Sequence, residues 1–364
     1  MATTALLEWL DDHAHGLDVG SVDSRLVLPQ LASSDALRVG VSRALGGNGK
    51  TLADAVEILA VVAARSMTAA LVLWGQRSFI EYMLHSSNDS LRERLLPSLL
   101  DGKLAGTIGF SNPAKFLSGV GGLQVRAKPI MGGWLLNGDL HWVTNLRPNG
   151  FVVGTAIEDS KSGKLFVVAI PASCTGLRRS EDLQLSGLQS SNTAALNFSQ
   201  VKIGSDWMLH EDTQIFLRAV RPALLGMQCG LAIGLARRAL QEALSLIQDG
   251  AQSMLLDSIM NQRQHLEQTA LDLKYGLLDG RFRADPAHLF KIKIALRKSA
   301  IDAVLLELHA MGPRAHFDEG QSQFPRRWKE SSFVPIIIPT TTQLCASLRQ
   351  LEHSSGESTV DGCC

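Results

Sequence analysis

The 364 residues carry 35 Lys plus Arg against 35 Asp plus Glu, and 45% are hydrophobic. The chain therefore has material for a large core and no overall basic field to draw nucleic acid or an anionic membrane, which leaves small-molecule chemistry as the default. Five scattered cysteines (Cys174, Cys229, Cys345, Cys363, Cys364) suggest neither a disulfide framework nor a zinc site and fit a reducing, cytoplasmic compartment.

The opening segment contains Glu8, Asp11 and Asp12, so it lacks the basic start of a signal peptide and reads as a short amphipathic helix. Over residues 51–100 apolar positions recur at helical spacing (Leu52, Val56, Leu59, Val62, then Ile80, Met83, Leu84), which predicts an N-terminal α-helical domain over 1–103. Between 104 and 212 the period changes. Short runs at 104–111, 123–127, 133–144, 151–155, 165–170 and 194–203, punctuated by Gly, Pro, Asn and Ser, predict a middle β domain. Helical spacing returns at 214–248, 254–278, 287–311 and 340–352, giving a C-terminal α-helical domain over 213–352, with Pro222 expected to end or kink its first helix. The apolar runs at 53–74 and 222–236 are broken by charge or too short to span a bilayer, and 353–364 is expected to be a disordered tail.

Several motifs carry competing readings. The stretch 44–51, Ala-Leu-Gly-Gly-Asn-Gly-Lys-Thr, satisfies a loose phosphate-loop pattern, but no buried strand precedes it, so it reads as a Gly-rich turn capping a helix. His13 and His15 point apart on a helix, and the other histidines lack ligand spacing, so no metal is expected. Arg326, Arg327 and Lys329 around Trp328 form a basic patch, read as a solvated or subunit-contact surface. In 135–144 a polar turn at Asn137 and Gly138 separates two strand-like runs, as in a hairpin. The second run ends on Trp142 and Thr144, a flat aromatic beside a hydroxyl donor that suits a planar, hydrogen-bonding cofactor ring.

In their α, β, α order these motifs resemble the acyl-CoA dehydrogenase flavoprotein family over most of the chain. Gly132, Gly133, Asn137, Gly138, Trp142, Thr144 and Asn145 match the family's "GGYxLNGxKxWITN". The run from Leu96-Pro97 to Leu104 is similar to "LPxLxxGxL", Ser111-Asn112-Pro113 stands where the family has Thr-Glu-Pro, and Gly187, Ser190, Thr193 and Phe198 match the exit from the β domain. The resemblance implies an α+β, acyl-CoA dehydrogenase-like fold with an N-terminal helical domain, a middle antiparallel β-barrel domain and a C-terminal helical bundle. It also implies FAD as cofactor, an acyl thioester (acyl-CoA) substrate, a homodimer or homotetramer, and electron-transfer flavoprotein as a partner. By position, Ser111 and Thr144 would donate to the flavin edge, the Phe110 backbone would line it, Trp142 would pack on the ring, and Thr341 and Gln343 would contact the cofactor from the last helix.

The departures bear on the chemistry. Where dehydrogenases carry the Glu that removes the α-proton, this chain has Pro339, and the family's alternative location falls near Leu224. Neither side chain accepts a proton, so no catalytic residue is assigned. The Arg-x-x-Phe-Gly segment is not recognisable between Leu246 and Ile259, and the Gln-x-x-Gly-Gly loop is reduced to His309-Ala310-Met311-Gly312-Pro313, with Arg314 as a substitute phosphate partner. Glu330, beside the basic run, is read as a structural ion pair rather than a surrogate base. The expected function is a FAD-dependent oxidoreductase of an acyl thioester with a non-standard or absent base. The alternatives are a flavin monooxygenase or desulfinase-type relative, and a non-redox subunit or binding partner in a mixed oligomer.

Overall fold

The computed structural model describes residues 3–109, 123–247, 254–316 and 323–355. Helices α1 (Thr4–Val19), α2 (Val27–Ser33), α3 (Leu52–Ala63), α4 (Met67–His85) and α5 (Asp89–Leu100) come first. The Gly-rich turn is indeed a helix entry: Thr51 Oγ1 accepts the Asp54 N–H (3.2 Å) while the Asp54 carboxylate accepts the Thr51 N–H (2.9 Å), a reciprocal cap, and Lys50 is exposed.

Helix α4 is the axis of the molecule. Every residue from Met67 to Met83 is buried, including Gln76, Arg77, Ser78 and Glu81, so no face of it meets solvent. Its polar side chains are paired. Arg77 binds Glu81 at 2.7 Å, and the Gln76 amide donates to the carbonyls of Leu99 (2.8 Å) and Leu104 (3.0 Å). The Gln76 Oε1 accepts from the Gly106 N–H (2.7 Å) and the Asn145 amide (3.0 Å).

Strands β1 (Ala105–Ile108), β2 (Arg126–Ile130), β3 (Gly133–Val143), β4 (Phe151–Asp159), β5 (Leu165–Pro171), β6 (Leu177–Arg179), β7 (Ala194–Gly204) and β8 (Met208–His210) form one sheet in the order β6-β7-β3-β2-β4-β5-β8, with β1 on β4. The expected antiparallel barrel is corrected on two points. β4 runs parallel to both β1 and β2, so the sheet is mixed, and among the described residues the end strands β6 and β8 do not pair, so it is open. The physical cause is the chain path: β4 skips past β3 and lands on the far side of β2, which places two strands running the same way side by side.

Asn137 and Gly138 are not a hairpin turn. They form a bulge within the single strand β3, where pairing shifts from Leu136 opposite Val201 to Gly138 opposite Phe198. Gly138 has φ +133°, and a Cβ there would lie 2.0 Å from the Gln124 carbonyl oxygen, so only glycine fits. A second shift, between Leu140 and Val143, precedes the motif's end and is where Trp142 turns outward.

The C-terminal helices are α6 (Thr213–Ser245), α7 (Leu256–Asp279), α8 (Pro286–Met311), α9 (Phe324–Phe333) and α10 (Thr341–Ser355). Pro222 lies inside α6 and does not end it. One missing N–H is tolerated because the helix packs along α8 and α3, with Gly234 so close to α3 that a Cβ would lie 2.1 Å from the Ala60 carbonyl oxygen. By length and composition α6 could cross a membrane, yet its most apolar window is 89% buried inside the fold. Residues 353–355, expected in the tail, continue α10, and 356–364 lie outside the described residues.

Replacing Gln76 by Leu keeps the volume but leaves the Gly106 N–H and the Asn145 amide a partner short. The expected cost is on the order of 3 kcal/mol, read as a lower melting midpoint, and an unchanged midpoint refutes the anchoring role of this amide.

Candidate functional site

A cavity of about 270 Å³ opens where the sheet, α4 and the C-terminal helices meet. Leu71 and Trp74 of α4, Thr107 and Ile108 of β1, and Trp142 and Thr144 at the end of β3 line it. Leu185, Leu188 and Thr193 close one side, and Phe333 with the loop Ile336, Ile337, Ile338 closes the other.

Trp142 is 64% exposed and has φ +60°, as Asn145 has +61°. A bulky aromatic held out of the core in the left-handed region is strain that the surrounding packing must sustain, and such strain marks functional positions. The buried Asn145 amide, on Gln76 and the Gly106 carbonyl (2.9 Å), supplies the restraint. The Thr107 hydroxyl donates to the Thr144 carbonyl at 2.6 Å, and the Thr144 hydroxyl meets that of Thr193 at 3.1 Å.

On the opposite wall the Ile336–338 side chains face the cavity while two of their carbonyls are held from behind. The Gln228 amide donates to the Ile338 carbonyl at 2.9 Å, Arg297 donates to the Ile337 carbonyl, and Lys293 donates to the Gln228 side-chain oxygen. Burial, then Arg297 beside it, pushes the Lys293 ammonium well below its ordinary value, and burial brings Arg297 down to about 10.

Of the residues assigned from sequence, Trp142 and Thr144 come together in this cavity. Phe110 and Ser111 lie outside the described residues. Gln343 is spent on capping α10, its Oε1 accepting the Thr340 N–H (2.8 Å) while Thr340 Oγ1 accepts the Gln343 N–H (3.2 Å). Thr341 donates its N–H to the Pro335 carbonyl (3.1 Å) and, like Gln343, is not among the lining residues. Arg314 is exposed on a short turn after α8. Sequence reasoning missed Trp74, Thr107 and Thr193 as wall residues and Gln76 as the anchor. A lone amide inside the apolar run Leu-Val-Leu-Trp-Gly-Gln was the available signal for Gln76.

The basic patch dissolves in three dimensions. Arg327 and Arg326 are buried, Arg327 on Glu307 (2.9 Å) and Arg326 on Glu330 (2.6 Å), so only Trp328 and Lys329 of that run face solvent. Glu330 also accepts the Met67 N–H at 3.2 Å, a structural ion pair away from the cavity lining.

No family model matches the chain. Among curated proteins, isovaleryl-CoA dehydrogenase of Arabidopsis thaliana is 27% identical over 135 residues, 36% of this chain and 33% of its own length. The enzyme of the same name from Pongo abelii is 24% identical over 202 residues, 52% and 46% respectively, so the chain spans less than half the length of either relative it matches. Solved structures superpose over nearly all of it. A glutaryl-coenzyme A dehydrogenase complex gives a TM-score of 0.80 at 16% identity, covering 96% of this chain and 94% of that one. The chain has the acyl-CoA dehydrogenase fold and is similar in sequence to members of that family. The structure titled "PigA with FAD and proline" (TM-score 0.78, 17% identity, coverage 96% and 97%) and the prolyl acyl carrier protein oxidase AnaB (0.80, 14%, 95% and 97%) share the same fold.

The cavity wall has features that suit the ring end of FAD. The walls are apolar, an aromatic is held open at one edge, and hydroxyls project from the sheet side. The volume lies at the low end for a ligand pocket and takes one ring system rather than a whole dinucleotide. None of the described lining residues is a carboxylate. Pro339 is buried just past Ile338, and Leu224 offers only its carbonyl, to the Trp74 indole N–H at 3.2 Å.

Burial pushes the Glu330 carboxyl above its ordinary value of 4.5, against the pull of Arg326. In that window the folded chain binds more protons than the unfolded one. The group's contribution is therefore complete below 4.5 and shrinks as pH rises through the folded value. Glu330→Gln should flatten this slope, and near neutrality it too should cost stability by leaving the buried Arg326 guanidinium without its carboxylate. Arg326→Met should cost on the order of 3–5 kcal/mol there by leaving the carboxylate unpaired. Thermal melts from acid to neutral pH check both, and identical curves for the two variants refute the pairing.

Proposed function

We propose that the chain is a FAD-dependent oxidoreductase acting on an acyl thioester, carried by coenzyme A or by a carrier protein, with no carboxylate base among the described residues of its cavity wall. The observation that carries this reading is the constellation at the end of β3, Trp142 held open in a left-handed conformation beside the Thr144 hydroxyl and facing α4 and the Ile336–338 loop. Bound FAD would supply the hydride acceptor, which no side chain can provide.

The chain's own groups position and exclude. Trp142 offers an aromatic face at the mouth, Thr144 a hydroxyl, and the three isoleucines exclude water from the far wall. The carbonyls pinned by Gln228 and Arg297 keep that wall in place. The carrier-linked option draws support from the names of two fold neighbours, one bound to proline and one a prolyl carrier protein oxidase. Homo-oligomerisation is supported by Leu271, Tyr275 and Leu278, exposed at helical spacing on one stripe of α7. A cytoplasmic location and re-oxidation by an electron-transfer flavoprotein complete the proposal.

A second reading is favoured by one observation, the acid-free lining. Flavin-dependent oxygenation or desulfination needs no carboxylate to remove an α-proton, and Pro339 is then no defect.

The absorbance spectrum of the purified protein, alone and titrated with FAD, decides the cofactor. Flavin bands support the reading, and a colourless protein that takes up no added FAD overturns it in favour of a non-redox subunit. Trp142→Ala should weaken FAD about tenfold through the lost ring contact, and unchanged affinity removes Trp142 from the site. Anaerobic mixing with acyl-CoA and carrier-bound acyl substrates separates the two reactions. Bleaching by substrate alone marks dehydrogenation, and oxygen uptake that requires externally reduced flavin marks oxygenation.

A further inference from the structure

Three hydroxyls stand in line at the sheet side of the cavity. Ser191 Oγ lies 2.8 Å from Thr193 Oγ1, which lies 3.1 Å from Thr144 Oγ1. Ser191 is fully buried, Thr193 is 5% exposed, and Thr144 is the most open of the three. We propose that Ser191 and Thr193 are positioning residues that lock the Thr144 hydroxyl as a hydrogen-bond donor into the cavity, so that the ligand atom opposite it must be an unprotonated nitrogen or a carbonyl oxygen. This rests on the FAD reading above.

The direction of the chain follows from counting protons. Each hydroxyl has one proton to give and two lone pairs. Among the described residues the one hydrogen-bond partner of Ser191 Oγ is Thr193, and a buried donor left without an acceptor costs about 1–3 kcal/mol. Ser191 therefore donates to Thr193. The other hydroxyl partner of Thr193 is Thr144, so its proton goes there. The reverse order strands the Ser191 proton in the core. Thr144 thus receives a hydrogen bond from behind and keeps its own proton for the cavity it lines, and each bond in such a series polarises the next.

The backbone on both sides is fixed, so the line cannot easily be broken by a shift. Thr107 holds the Thr144 carbonyl (2.6 Å), and the Asn145 N–H donates to the Ser191 carbonyl (3.0 Å). The two segments carrying the hydroxyls are therefore tied directly to each other. A threonine at Thr193 is not needed for packing alone, since valine has the same shape.

The test uses the full chain, with FAD affinity measured by fluorescence quenching and the visible absorption spectrum as the second readout. Thr193→Val should weaken FAD about fivefold, the effect of one hydrogen bond, and shift the visible band in the same direction as Thr144→Val. The double variant should be no weaker than Thr144→Val alone, because both changes remove one contact. Thr193→Ser should restore wild-type affinity and spectrum, and Ser191→Ala should give a smaller shift of the same sign. A Thr193→Val protein with wild-type affinity and spectrum overturns the relay while leaving FAD binding intact. So do additive losses in the double variant, which mark two separate contacts. A wild-type protein that binds no FAD overturns both the relay and the reading it rests on.

Discussion

The molecule depends on one buried amide pair. Gln76, on a helix with no solvent-facing side over most of its length, gives two hydrogen bonds to the end of α5 and its connection and receives two from β1 and Asn145. Three of its four partners are backbone groups of α5, β1 and the connection between them, and the fourth is the Asn145 side-chain amide. Desolvated polar groups in such a place are costly unless all are satisfied, and here the side chain is. The same network fixes Asn145 in its left-handed conformation and so sets the angle at which Trp142 and Thr144 leave the sheet. Core packing and site geometry share a single anchor.

Among the described residues, none that lines the cavity carries a charge. The threonine hydroxyls supply its side-chain polarity, and the nearest buried cations, Lys293 and Arg297, stand behind the Ile336–338 wall with their donors on carbonyls and an amide. The acidic groups of the neighbourhood are committed elsewhere, Glu330 and Glu307 to arginines in the α9 layer. An uncharged, largely apolar chamber suits a redox cofactor ring that supplies its own chemistry, and it leaves proton removal without an obvious protein base.

Local signals and long-range consequences differ in how far the chain alone reveals them. The α, β, α order is readable because burial follows helical or alternating spacing within each element, and the family motif around Trp142 fixes its neighbours by adjacency. Asn137-Gly138 shows the limit. The pair has the composition of a tight turn, and only the strand opposite, with Val201 and Phe198 in pairing positions, makes it a bulge inside one strand. Arg326 and Arg327 read as a surface patch for the same reason, since their carboxylate partners come from other turns and other helices.

By itself, the sequence determined the family resemblance, the three-part succession of elements and the proline where the resemblance places an acid, at Pro339, because each is set by residue identity or by neighbours along the chain. The tertiary structure alone decided the mixed, open sheet, the burial of the arginines, the clash that demands glycine at Gly138 and the alignment of Ser191, Thr193 and Thr144. Those depend on which segments meet across long stretches of chain, and hydrogen-bond partners chosen at that range leave no periodic trace in the sequence.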